Sequence, residues 1–470
     1  MSSDITDLVL NNLNKSYETK DPIDEKLIDN YTLILTKELI YENDNLNKLI
    51  TILNHILNDN KYFEIDPNVI LLHLLNKILS FLNFKQILEF YSEEFITKHL
   101  FSFNNSTIDT ILCIGILTSN LHQFETQQYI LKNDVIKKLI EEYFNEDTPI
   151  EVLNSIEKLI ENLYTNELNL LDNSFDIFEK VKNSDNSILV SRYLDLLLIL
   201  STKFDSLNSN LYQFNTDEIL KFKHDTLFLV ILIQFYIKLC DTTLTIDKTL
   251  FNIITLYRKK EFDEIINLEI INLISKMSYT SRLTSILEHF QIFKTHNLIK
   301  IFDKDEEEIK LLSQSNPNLI YNLNNDIFSD VLVNLPLFDD KFFPILLNFI
   351  KSPDVWNLIK PKLNEDKLQK LSKYKLFLLL LTLSQYEWSK IYFFENLSKI
   401  LSEEIINSDI RNNEIWNLKL EILENLNNTE DNVSGYAKWN TQLKQAYDKM
   451  RFGENFKNIQ PKVEVIDEAM

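Results

Sequence analysis

The chain has 470 residues, with 48 Lys and Arg against 70 Asp and Glu, and a net charge of −22. Such a field repels the phosphates of DNA, RNA and anionic lipid head groups, so neither nucleic acid nor a membrane surface is an expected direct partner. Only Gly115, Gly435 and Gly453 are glycine, which excludes the G-x-G-x-x-G dinucleotide loop and the G-x-x-x-x-G-K-[ST] phosphate loop, since both need several residues free at positive φ.

The N-terminal stretch MSSDITDLVL is acidic and lacks the basic-then-apolar layout of a signal peptide. Cys113 and Cys240 lie far apart and form no C-x-x-C pair, the usage of a reducing compartment. A cytoplasmic protein is therefore expected, in which the sequon at Asn105 carries no sugar. Apolar residues recur at three- and four-residue spacing almost throughout, while strand-like alternation and hairpin signals are missing. Pro22, Pro67, Pro149, Pro353 and Pro361 each precede an apolar-periodic run and are expected in first helical turns. Helices are predicted over residues 68–81, 87–101 and 107–117. Alanine is nearly absent, so tertiary packing rather than intrinsic propensity must hold them.

Next in the chain comes the most informative signal. The segments IEVLNSIEKLIENLY (residues 150–164), ILVSRYLDLLLILST (188–202), TLFLVILIQFYIKLC (226–240) and EIINLEIINLISKMS (264–278) each start 38 residues after the last. The columns Val152/Val190/Phe228/Ile266, Ile156/Leu194/Leu232/Ile270, Leu159/Leu197/Phe235/Leu273 and Ile160/Leu198/Tyr236/Ile274 are apolar in all four. They stand at i, i+4, i+7 and i+8, one helix face repeated at a fixed period. A period near 40 residues, with two helices and short turns, predicts an all-α HEAT/armadillo-like helical-repeat solenoid, curved and built as a single array. The alternative is four ordinary helices of an all-α domain whose spacing coincides. The most apolar stretch, residues 227–237, is broken by Gln234 and stops at Lys238, short of the roughly 20 residues that span a bilayer.

Shorter amphipathic helices over residues 135–144, 175–181 and 250–258 form the other layer. Downstream, His289 and His296 share a helical face beside Glu288, but no third ligand is evident, and no metal site is expected. The acidic run from Asp303 to Glu308 reads either as a site for a cation or basic partner or as a solvated loop entering a helix N-terminus. Helices return at 373–384 and 413–425. Trp356, Trp388, Trp416 and Trp439 cluster in the last quarter, where aromatic residues serve core packing more often than binding. None is followed by the W-x-x-x-N spacing of armadillo import adaptors. Residues 1–458 are thus read as one solenoid of about ten helix pairs, and 459–470 as a frayed tail. No H-E-x-x-H, G-x-S-x-G or EF-hand pattern occurs. The expectation is a protein that is not an enzyme and takes no cofactor.

Polar exceptions on the repeated helices are few and mark the candidate partner-binding residues: Asn154, Glu157 and Glu161, then Arg192 and Asp195, then Gln234 and Lys238, then Asn267 and Asn272. Arg192 and Asp195, at i and i+3, form either a local ion pair or part of a polar strip on the solenoid's inner surface that is open to a partner.

The stretches ILSFLNFKQILEFYSEEFI (78–96), SIEKLIENLYTNELNLLDN (155–173) and SRYLDLLLIL (191–200) resemble the fungal HEAT-repeat chaperone family that assembles the base of the proteasome regulatory particle, a family that also carries an older mismatch-repair label. YEWSKIYFFENLSKIL (386–401) and AKWNTQLKQAYDKM (437–450) are similar to its C-terminal portion. The resemblance implies an ATP-independent chaperone, monomeric on its own, that grips the C-terminal domain of one AAA ATPase subunit, contacts a neighbouring ATPase, and leaves before the mature proteasome forms. It places the contact on the second helices between about 150 and 278. The alternative is a HEAT-repeat scaffold acting in DNA mismatch repair.

Overall fold

A computed structural model describes residues 2–41, 45–101, 107–163, 170–171, 174–204, 207–293, 306–324, 335–430 and 433–453. The Asn105 sequon, His296, residues 303–305 and the 459–470 tail lie outside them. Among the described residues there is no strand. The chain divides into two compact units, Met1–Asn252 and Ile253–Met470.

In the N-terminal unit seven helices stack in chain order: α1 (Ser2–Thr19), α2 (Leu46–Leu57), α3 (Ile70–Leu79), α4 (Thr107–Ser119), α5 (Ile150–Glu161), α6 (Ser187–Lys203) and α7 (Thr226–Leu239). Shorter helices make a second layer. Glu93–Leu100 packs on α4, Val135–Tyr143 on α5 and Phe175–Lys182 on α6. This is the helical repeat that the 38-residue period predicts. The columns at i, i+4 and i+7 are all buried, from Val152, Ile156 and Leu159 onward. Leu198 is the exception and is only half-buried, because it stands at the margin of the α6 face, where the stripe meets solvent. The buried Tyr193 and Tyr236 hydroxyls donate to Leu211 O (2.5 Å) and Tyr212 O (2.6 Å), so each ring fills the core with its polar atom satisfied. Between α3 and α4, a Cβ on Gly115 would fall 2.5 Å from Asn76 Oδ1. Glycine there lets the two helices approach closely.

In the C-terminal unit α8 (Glu264–Ser278), α9 (Glu306–Gln314) and α10 (Phe343–Phe349) stack in order, as do α11 (Lys373–Gln385), α12 (Asn413–Asn427) and α13 (Asn440–Phe452). Buried Asn348 on α10 donates to Leu312 O (2.8 Å) and Ser315 O (2.7 Å) at the end of α9. Two of the four tryptophans serve packing: Trp356 is buried edge-on against Tyr392 at 5.5 Å, and Trp388 donates to Ile350 O at 2.9 Å.

Helix starts follow side-chain caps. Asn186 accepts from Ile188 N (3.0 Å), Asp225 from Phe228 N (3.0 Å) and Asp263 from Ile266 N (3.0 Å), at the heads of α6, α7 and α8. Two expectations are corrected. The 87–101 helix is two pieces, Phe84–Ile87 and Glu93–Leu100, because Ser92 caps the second. Of the prolines, Pro353 occupies a first α-helical turn and Pro361 only a 3-10 turn. Pro149 sits at the cap itself, and Pro22 and Pro67 lie outside helices. Val69, at φ 57°, separates Pro67 from α3.

Candidate interaction surface

On α5, Asn154, Glu157 and Glu161 share one face at three- and four-residue spacing, with Asn154 and Glu161 exposed and Glu157 half-buried. Glu157 is held by Tyr143, the last residue of the Val135–Tyr143 helix, whose hydroxyl donates to Glu157 Oε1 at 2.5 Å. Burial, and then this contact with Glu157, push the Tyr143 hydroxyl well above its usual range. On α6, Arg192 donates from Nη1 to Tyr143 O (3.1 Å) and Asn145 O (2.7 Å) and from Nη2 to Glu146 O (3.5 Å). These carbonyls close the Val135–Tyr143 helix, where its dipole is negative and a planar guanidinium fork fits.

That geometry replaces the local Arg192/Asp195 ion pair. The charges acting on Asp195 are Glu157 on α5 and Lys238 on α7. Asp195 is exposed, yet partial desolvation, and secondly Glu157, raise its pKa, with Lys238 opposing. Glu157 on α5 and Lys238 on α7 are thus near enough to Asp195 on α6 to act on its charge, and half-buried Gln234 lies one turn before Lys238 on the same α7 face. Tyr143, Glu146 and Asn186 also belong to this network, since Asn186 Nδ2 donates to Glu146 Oε1 at 2.5 Å. They were missed because an aromatic inside an apolar stripe and polar residues in a turn look like core and loop.

Asn267 and Asn272 belong to the C-terminal unit and have internal duties. Asn267 Nδ2 donates to Glu307 Oε1 (3.3 Å), Tyr257 donates to Glu307 Oε2 (3.1 Å), and Asn272 Nδ2 donates to Glu269 Oε2 (3.0 Å). Asn267 thus ties α8 to the head of α9, where carboxylates suit the helix dipole. Of the acidic run, Glu306–Glu308 open α9, but Glu307 is bonded and Glu308 buried, so these two are not a solvated loop.

Two lysines in cavities are also structural. In a cavity of about 600 Å³ lined by Asp176, Glu179 and Glu218, Lys182 donates to Asn210 O (2.7 Å) and Gln213 O (2.5 Å), stitching a turn to the second layer. Lys419 on α12 is 3% exposed and donates to Ser408 O at 2.6 Å. Burial lowers its pKa from 10.5 to about 8. Between those values the unfolded chain holds more protons than the folded one, so the stability contributed by Lys419 rises with pH across that window. Relative to Lys419→Met, the native protein is expected to gain about 1 kcal/mol over the pH unit around 9. Denaturant titrations of both proteins from pH 7 to 10 check this, and a constant difference contradicts it.

Among the described residues no group of three or more His, Cys, Asp or Glu side chains is placed to hold a metal ion, and no helix is long and apolar enough to cross a membrane. Cys113 and Cys240 are both buried, and burial pushes the Cys113 thiol up.

Comparison with known proteins meets this architecture along its whole length. Residues 7–241 match the family described as DNA mismatch repair protein HSM3, N terminal domain, and residues 242–470 match its C terminal domain. A relative from Candida albicans named DNA mismatch repair protein HSM3 is 42% identical, covering 100% of both chains. Its namesake in Scheffersomyces stipitis is 38% identical over 98% of this chain and 97% of that protein. One from Debaryomyces hansenii is 29% identical over 97% of each. With both halves matched and a relative 42% identical from end to end, the chain belongs to the HSM3 family.

Proposed function

We propose that this protein is a non-catalytic chaperone of proteasome assembly, which binds the C-terminal domain of an AAA ATPase subunit of the regulatory-particle base and is absent from the mature proteasome. The family resemblance suggests the client. The observation that carries the reading is the Glu157/Asp195/Lys238 face on α5, α6 and α7, a partly exposed polar surface laid across packed helices in a chain of net charge −22. Such a surface suits a folded, basic client, because complementary charge steers docking and sets register while a few central contacts supply affinity. The protein acts as a cytoplasmic monomer without nucleotide or other cofactor.

The relatives' name favours a second reading, a helical-repeat scaffold in DNA mismatch repair. With this charge it would meet repair proteins rather than DNA. Affinity purification of the full chain followed by mass spectrometry separates the two. Free regulatory-particle ATPases without the proteolytic core are expected, and mismatch-repair proteins alone overturn the chaperone reading. Docking of a purified ATPase C-terminal domain should slow as salt rises, since screening acts within about 10 Å at 0.1 M. It should be unchanged by ATP. An association rate indifferent to ionic strength contradicts the charge-steered face.

A further inference from the structure

The first turns of the repeated helices carry large apolar side chains turned to solvent. Ile150 on α5 is 70% exposed, Ile188 on α6 58% and Leu227 on α7 71%. Ile265, 60% exposed, holds the corresponding place on α8. Core packing does not use them, since the buried stripe of each helix begins at Val152, Val190 and Phe228. Single exposed apolar residues are ordinary on protein surfaces, but one in the first turn of each successive repeat helix, at spacings of 38, 39 and 38 residues, is not.

In the N-terminal unit these three residues are held side by side, because the turns leading into their helices are stitched together. Asn186 donates to Glu146 Oε1 at 2.5 Å. Lys221 donates to Asn183 O (2.9 Å) and Ser184 O (2.8 Å) and pairs with Asp185 at 2.6 Å. The Asp225 carboxylate takes a hydrogen bond from Ser187. Ile150, Ile188 and Leu227 are therefore rungs of one ladder along the edge where α5, α6 and α7 begin.

We propose that this ladder docks a basic amphipathic α-helix of a partner protein, with one apolar residue per rung. Packed helices lie about 8–10 Å apart, and seven residues of α-helix advance about 10.5 Å. A helix with apolar residues at i, i+7 and i+14 thus matches all three rungs. The charge of the segment follows from its surroundings: Asp147 and Glu151 are exposed around the first rung in a chain of net charge −22, Asp185 beside the second is paired with Lys221, and Lys223 and His224 stand by the third. The segment's Lys and Arg residues belong opposite α5. The inference rests on the reading of this chain as a chaperone for a protein client and specifies one element of that client.

A synthetic peptide of about 21 residues, three heptads with Leu at every seventh position and Lys between, tests it by fluorescence anisotropy against the full chain. Binding is expected to weaken at least tenfold in the triple variant Ile150→Ser, Ile188→Ser, Leu227→Ser, and comparably in Leu227→Lys alone, with unchanged melting temperatures. Lys203→Glu, exposed at the opposite end of α6, should leave peptide affinity intact. Equal binding by wild type and triple variant overturns the ladder, as does preference for the same peptide with Glu in place of Lys. So does a self-association that the triple variant abolishes, or binding to phosphatidylserine vesicles that it abolishes, since the occupant is then a second copy or a lipid surface. Failure of the ATPase domain to bind while the peptide still does sinks the chaperone reading and leaves the ladder standing. The reverse result sinks only the ladder.

Discussion

Truncating Leu194 or Ile156 to Ala is expected to remove roughly 2–5 kcal/mol of stability. Both are essentially inaccessible, 1% and 0% exposed, at equivalent places in the 38-residue period on α6 and α5. Close-packed layers cannot collapse around a lost isobutyl group, so the loss includes a cavity term as well as transfer free energy. For units of this size a fall in melting temperature of about 5–15 °C follows. Leu198→Ala is the internal control. It stands in the fourth column but is half-buried, and should cost under about 1.5 kcal/mol. Equal losses at Leu194 and Leu198 would mean that the buried face of α6 is wrongly assigned.

Arg192 and Asp195, three residues apart on α6, are expected to separate stability from binding. Arg192→Ala withdraws the donors from Tyr143 O, Asn145 O and Glu146 O. It should lower stability by about 1–3 kcal/mol, because the bonds are charge-assisted and partly buried. The affinity of the protein that remains folded should not change. Asp195→Lys, and likewise Glu157→Lys, should weaken ATPase-domain binding by about 2 kcal/mol, near thirtyfold. Asp195 is the cleaner variant, since partial desolvation and Glu157 already disfavour its charged form and only the opposing attraction of Lys238 is lost, whereas Glu157→Lys also deprives Tyr143 of its acceptor. Calorimetric titration alongside thermal melts reads both quantities. Lost affinity in Arg192→Ala with intact affinity in Asp195→Lys would reverse the two roles.

The sequence by itself determined the fold class, the buried columns and the heads of the main helices. These properties are local and periodic: a stripe at i, i+4 and i+7 has only one face to bury, and Asn or Asp ahead of it has free N–H groups to accept from. It also brought out the polar residues of α5, α6 and α7 as candidates. Which of them remain available was decided by tertiary structure alone. The Arg192 guanidinium turns back to a helix end 46 to 49 residues earlier in the chain, and Asn267 meets a carboxylate 40 residues later. Spacing within one helix carries no information about such partners, because the nearest charge in sequence competes with carbonyls and carboxylates that only packing brings within reach. The exposed ladder has the same origin. Ile150, Ile188 and Leu227 are indistinguishable from core residues by hydropathy, and only the direction in which each first turn faces once the layers have formed puts them in solvent.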